Sequence, residues 1–184
     1  DDGSDGGDGG DGGLPLSLVW GEPFGGDGED VVRDLFVDGA AVVYTTGYFT
    51  DTSSFDMGDG SQELTATGRY DVFVQKIDAA GHLQWARALG GAALEYGTSV
   101  AADREGNVVV TGAFELSGDF DPGVGEQTLT SEGHLDVFVV KLDGAGELQW
   151  AHSFGGAEYD EATAVATDGD GNVYVAGYFR EEVD

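Results

Sequence analysis

Thirty-six acidic side chains against seven Lys and Arg give this 184-residue chain a formal net charge of -29, and such a surface repels a phosphate backbone and an anionic lipid headgroup alike. With 33 glycines, three prolines and no cysteine, the composition suits short strands joined by tight turns and excludes a disulfide framework and a thiolate metal site. No stretch approaches the roughly 20 apolar residues of a membrane-spanning helix.

Like charge on this scale destabilises a compact state unless something screens it. Divalent cations and high salt are the two candidate screens, and an acidic surface kept for solubility is the alternative. Residues 1–13, DDGSDGGDGGDGG, hold no apolar side chain to bury and form an Asp/Gly-rich linker. A second reading has their carboxylates collecting Ca²⁺.

From Leu14 onward the chain repeats itself. Trp20, Trp85 and Trp150 are spaced 65 apart, as are Gly25-Gly26, Gly90-Gly91 and Gly155-Gly156. Without a gap, residues 25–89 and 90–154 share 27 identities in 65 positions. The chain therefore divides into residues 14–24, a fourth strand of a preceding unit; 25–89 and 90–154, two whole repeats; and 155–184, part of a third.

Four strands are predicted in each repeat. The first is rich in small residues (EATAVATD, 161–168). A turn follows, DREGN at 103–107 or DGDGN at 168–172. It leads into the second strand, VVVTGAF at 108–114 or VYVAGYF at 173–179. A longer polar connection carries FDMGDG (55–60) or FDPGVG (120–125). The third strand is DVFVQKID (71–78) or DVFVVKLD (136–143), and a Gly-containing turn leads to the fourth, LQWARAL (83–89) or LQWAHSF (148–154).

In DVFVVKLD, Val137 and Val139 lie on one strand face and Phe138, Val140 and Leu142 on the other. Both faces are apolar, whereas a lone antiparallel sandwich leaves one face of each sheet wet. A four-stranded meander packed between two neighbours like itself buries both, which describes a propeller blade. The fold class expected is thus all-β, tandem four-stranded antiparallel blades of β-propeller type, about two and a half blades of 65 residues.

The combined pattern resembles the SBBP β-propeller repeats of bacterial extracellular and surface proteins. In the second copy it is carried by Asp103, Gly106, Asn107, Gly112, Phe114, Phe120, Asp121, Gly123, Asp136, Lys141, Asp143, Gly146 and Trp150. The resemblance implies this fold and an extracellular or cell-surface location, and no single activity. The first copy departs at its turn, where Asp38-Gly39-Ala40-Ala41-Val42 replaces D-x-x-G-N, which leaves its turn geometry open.

Closed propellers need about four blades or more. The expected outcomes are a piece of a longer polypeptide, an association of copies, or an open array. Unpaired edge strands template pairing with another chain, and head-to-tail association yields a ring or a filament.

Acid-rich loops are the candidate metal sites, because Ca²⁺ takes six to eight hard oxygen ligands. The first loop type offers Asp168, Asp170 and Asn172, with Asp103 and Glu105 equivalent in the second copy. The other offers Asp119 and Asp121, with Asp56 and Asp59 in the matching region of the first. Turn chemistry explains the same residues without an ion.

Lys76 and Lys141 recur in the third strand and read as architectural, as do the three tryptophans. His82, His134 and His152 occupy non-equivalent positions, and no HExxH, GxSxG or P-loop is present. The expectation is a non-enzymatic extracellular structural or adhesive repeat protein, self-associating through blade faces and open strand edges and stabilised by Ca²⁺, with no nucleic-acid partner. The alternative is a fragment of a larger closed propeller that binds or hydrolyses a ligand at a funnel on the ring axis.

Overall fold

The computed structural model describes residues 20–21, 23–55 and 62–180, and every regular element among them is a β-strand. The first copy holds β1 (Gly25–Gly26), β2 (Asp30–Val37), β3 (Val43–Phe49), β4 (Thr52–Ser54), β5 (Glu63–Thr65), β6 (Asp71–Ile77) and β7 (Leu83–Gly91). The second holds β8 (Glu95–Ala102), β9 (Val108–Asp119), β10 (Thr128–Leu142) and β11 (Leu148–Phe154), and the third β12 (Glu161–Thr167) and β13 (Val173–Tyr178). The strand expected before Trp20 lies outside the described residues.

Strands β2, β3, β6 and β7 pair antiparallel in chain order. So do β8, β9, β10 and β11, while β12 and β13 form a hairpin. The two larger meanders are stitched together where Gly90 and Gly91, at the end of β7, pair with Asp119 and Gly118 at the far end of β9. That crossing explains the Gly pair. A Cβ on Gly91 would overlap the Ser117 carbonyl and stand 2.8 Å from the Gly118 Cα, so only a residue without one lets the two backbones meet.

The polar connection between second and third strands differs from expectation, because it is itself strand. In the first copy β4 pairs with β5 and with the Gly25–Gly26 pair. In the second, β9 and β10 run on past the core, with Thr128, Leu129 and Thr130 opposite Asp119, Gly118 and Ser117. The cause is the Phe of each FD motif. Phe55 and Phe120 are fully buried, packing edge-on against Phe49 at 5.9 Å and Phe114 at 5.2 Å respectively. Burying an aromatic ring stabilises by roughly 1.5–3 kcal/mol, and that draws the Asp/Gly-rich segment back over the sheet.

Both strand faces are buried, as the apolar pattern requires. Phe138, Val140 and Leu142 of β10 join Val72 and Val74 of β6 in one core between the two meanders. Val137 and Val139 point the other way, toward Ala162, Val165 and Val173 of the third copy. Phe73, between Val72 and Val74, belongs to a third cluster with Phe49 and Phe55 on the outer face of the first copy.

The turns repeat more faithfully than their sequences. At Asp38, Asp78, Asp103, Asp143 and Asp168 the Asp amide donates to the carbonyl four residues on, and the amide three residues on returns a bond to the Asp carbonyl. The fourth residue of the turn is left-handed each time it is Gly81, Gly106, Gly146 or Gly171, and Ala41 adopts φ 61° in the same place. Left-handed backbone costs a side-chain-bearing residue about 1–2 kcal/mol, partly offset by the smaller unfolded-state entropy of Ala. Ala41→Gly is expected to stabilise by about 0.5 kcal/mol net, raising the thermal midpoint by about 1–2 °C for a chain of this size. A lowered midpoint would show that Ala41 is not strained.

Candidate functional site

Of the predicted acids of the first loop type, Asp168 and Asp103 cap their turns. Asp168 Oδ1 accepts from the Asp170 and Asn172 amides, each at 2.9 Å, and Oδ2 accepts from Asn172 Nδ2 at 2.8 Å and the Tyr174 hydroxyl at 2.9 Å. The Asn172 side-chain bond, with the other donors, draws its pKa down to about 2. Asp103 makes the same bonds to Glu105 N, Asn107 N and Asn107 Nδ2, and pairs with Lys141 Nζ at 2.9 Å. Burial opposes ionisation of Asp103, but the Asn107 and Lys141 side chains and the two amides outweigh it and hold the carboxyl below its usual range. Glu105 reaches only Asn107 Nδ2, at 3.4 Å.

The second loop behaves alike. Asp119 Oδ1 accepts from the Asp121 and Gln127 amides at 2.9 Å, and Asp121 Oδ1 from Gly123 N at 2.8 Å. Asp56 and Asp59 lie outside the described residues. Among the described residues, no three of His, Cys, Asp and Glu gather closely enough to hold a metal ion. What the acids do bring together is pairs of neighbouring turns. A cleft of about 430 Å³ lies between the Asp38 and Asp103 turns with Lys76 and Tyr44 in its wall, and one of about 210 Å³ between the Asp103 and Asp168 turns with Lys141.

The innermost strands stand side by side. Asp34 Oδ2 of β2 accepts from Ser99 Oγ at 2.8 Å and Val100 N at 2.9 Å of β8. Ser99 Oγ in turn accepts from Val165 N of β12 at 3.2 Å, and Thr98 Oγ1 donates to the Ala162 carbonyl at 2.5 Å. Each inner strand slips register once, past Arg33, Thr98 and Thr163, and these bulges are again 65 apart. The groups on this line are hydrogen-bonded to each other. Each histidine has a separate neighbour: His82 lies 3.3 Å from Asp78, His134 stacks on Tyr159 at 4.5 Å, and His152 lies beside Trp150.

Adjacent copies are coupled by a clasp on the Asp143 turn. Trp85 Nε1 and Lys76 Nζ both donate to the Gly144 carbonyl at 3.1 Å. Arg87 Nε donates to the Gly146 carbonyl at 3.0 Å and a terminal Arg87 nitrogen to Ala145 at 2.9 Å. The Trp85 ring covers Gly146, and Trp20 covers Gly81 of the preceding turn in the same way. Each Trp thus reaches a Gly 61 residues further on.

Acids not singled out as site candidates stand at the Gly pairs. Glu95 and Asp160 are fully buried, and Asp71 and Asp136 nearly so. Their advance signal is the period, since acids recur at 30, 95 and 160, and at 71 and 136, with Asp136 also part of the repeat's pattern. Burial raises the carboxyls of Asp71 and Asp136 above the usual range against the pull of their amide donors, and pushes Glu95 up to about 8.

Antiparallel strand repeats packed face to face, with their innermost strands side by side, define a protein of β-propeller type. Residues 149–178 match the model of the SBBP family, a β-propeller repeat. Among curated relatives, Regulatory protein FlaEY of Caulobacter vibrioides is 33% identical over 128 residues, 68% of this chain and 13% of the relative. An uncharacterized WD repeat-containing protein of Acanthamoeba polyphaga mimivirus is 28% identical over 134 residues, 66% of this chain and 9% of that protein. The chain thus spans a small part of the relatives it matches. No helix among the described residues is long and apolar enough to cross a membrane.

Proposed function

We propose that the chain is a non-catalytic structural module of four-stranded blades, and that copies join head to tail through two uncovered apolar faces. One observation carries this reading. Tyr174 and Tyr178, on the face of the third copy turned away from the second, are 58% and 43% exposed, while their equivalents Val109 and Ala113 are fully buried. The opposite end matches: Leu35 and Val37 are 60% and 50% exposed where Val100 and Ala102 are buried. Both faces are apolar and exposed among the described residues, and a heterologous contact between them closes a ring or propagates a filament. An extracellular or cell-surface setting and an adhesive role belong to the same proposal and rest on the repeat's resemblance. A second reading, further repeats of one longer polypeptide covering the same faces, is favoured by the 13% and 9% spans of the relatives.

Sedimentation velocity from about 1 to 100 µM separates the two. Copies of net charge -29 repel one another, and screening shortens from about 8 Å at 0.15 M salt to about 3 Å at 1 M. Association is therefore expected to rise with both protein and salt concentration, and to be lost in the Tyr174→Asp, Tyr178→Asp variant. A 19.1 kDa species throughout would overturn head-to-tail joining of copies and leave the longer polypeptide.

A further inference from the structure

We propose that the Gly90–Gly91 crossing between the two meanders is a proton-operated latch, held closed by a proton on Glu95 beside Asp71. The two carboxyls flank one glycine. A point one bond out from the Gly90 Cα stands 2.9 Å from Glu95 Oε2 and 3.2 Å from the Asp71 Cγ. Asp71 is fitted to be the charged partner, because it accepts from Thr67 N at 3.0 Å, Thr67 Oγ1 at 3.1 Å and Gly68 N at 3.1 Å. Glu95 is fully buried, and neither of its oxygens has a hydrogen bond of normal geometry. A buried carboxylate whose neighbouring amides make no bond of normal geometry is costly, and taking up a proton removes the cost.

The surroundings favour the proton. Burial is the main cause of the raised Glu95 carboxyl. The nearby Gly91 and Ala93 amides pull it back, and the charges of Asp71 on β6 and Glu115 on β9 push it further up. Asp119, opposite Gly90, has its Oδ1 taken up by the Asp121 and Gln127 amides. The Arg69 guanidinium lies over the Tyr70 ring at 5.2 Å, and among the described residues no cation pairs with either carboxyl. Because the folded carboxyl titrates above its ordinary 4.5, the latch is fully closed below that value. Its hold is lost as pH rises from about 4.5 to about 8. Ionising both groups puts two negative charges in one dry space, which opens by parting residues 90–95 from β9.

The equivalent joint at Gly155–Gly156 is not such a latch. There Asp160, one methylene shorter, has both oxygens bonded, to Gly156 N at 2.9 Å and Arg180 N at 2.7 Å.

Hydrogen exchange of the full chain, corrected for the intrinsic pH dependence of exchange, tests the latch. Between pH 6 and pH 9 the amides of residues 90–96 are expected to lose protection about tenfold or more while those of 137–142 keep theirs. Glu95→Gln, which cannot ionise, is expected to hold protection flat. A flat profile in the natural chain, an equal loss in Glu95→Gln, or recovery at pH 9 on adding millimolar Ca²⁺ (a cation in place of the proton) would each overturn the proposal. Infrared spectra of the unsubstituted chain give a readout independent of that variant's folding. The protonated-carboxyl carbonyl band is expected at pH 6 and absent at pH 9, and its absence at pH 6 would also overturn it.

Discussion

Trp85→Ala is expected to destabilise the chain by about 3–5 kcal/mol, the range for deleting a large aromatic side chain from a core. Trp85 is 6% exposed and does two things at once. Its ring belongs to the core between the meanders, and its Nε1 donates to the Gly144 carbonyl in the turn of the second copy. Alanine leaves a cavity under Gly146 and leaves Lys76 as the remaining side-chain donor to that carbonyl. Urea unfolding of Trp85→Ala and Trp150→Ala, followed by circular dichroism, gives the comparison that matters. Trp150 is only partly buried, packed beside Val137 and Val139, so its loss is expected to cost less than half as much. Equal costs would mean that the tryptophans act as isolated core residues and not as clasps between copies.

Gly112→Ala is expected to cost about 3 kcal/mol or more. The added Cβ would overlap the Tyr96 carbonyl oxygen and stand 2.9 Å from Phe138 Cε1. Neither neighbour has room to give. Tyr96 pairs with Ala113 beside the bulge of β8, and Phe138 is fully buried against Phe120, ring to ring at 5.0 Å. Overpacking alone costs about 1–3 kcal/mol, and displacing β8 adds its pairing with β9. The thermal midpoint is then expected to fall by about 6–12 °C. Gly47 and Gly177 meet the carbonyls of Val31 and Glu161 in the same way, but β13 lies at an uncovered end, so Gly177→Ala is expected to be the mildest of the three. A Gly112→Ala midpoint equal to that of the unsubstituted chain would show that the close approach does not exist.

The strands were legible from the 65-residue period and its turns, and the third most clearly because apolar residues on both faces of DVFVQKI and DVFVVKL are buried between two like neighbours. The strand character of the connections was not. Composition there is dominated by Asp, Gly and Ser, and Phe55 and Phe120 are single apolar residues whose pull on the chain shows only once the core is seen. The Asp38 turn looked irregular because Ala41 stands where the others have Gly. Yet the Asp38 carboxylate accepts from Ala40 N at 2.8 Å and Val42 N at 2.9 Å, and those bonds impose the common geometry on a residue that resists it.

Among the candidate site residues, a carboxylate that caps a turn and one that binds an ion have the same sequence neighbours. The amide partners of Asp103, Asp119, Asp121 and Asp168 show the capping role and leave the ion-binding role untested. The buried acids were hidden for the opposite reason. With 36 acids in the chain, Glu95 and Asp71 stand out in nothing but their spacing, and their burial depends on which strand the Gly pair crosses.

On the proposed function, every copy needs a neighbour on both faces and copies of this chain supply it. Negative-stain electron microscopy of the purified chain at micromolar concentration in 1 M salt tests it most directly. Rings or rods with a regular repeat along their contour are the expected result. A field of discrete particles, each the size of a single 19.1 kDa chain, would contradict it.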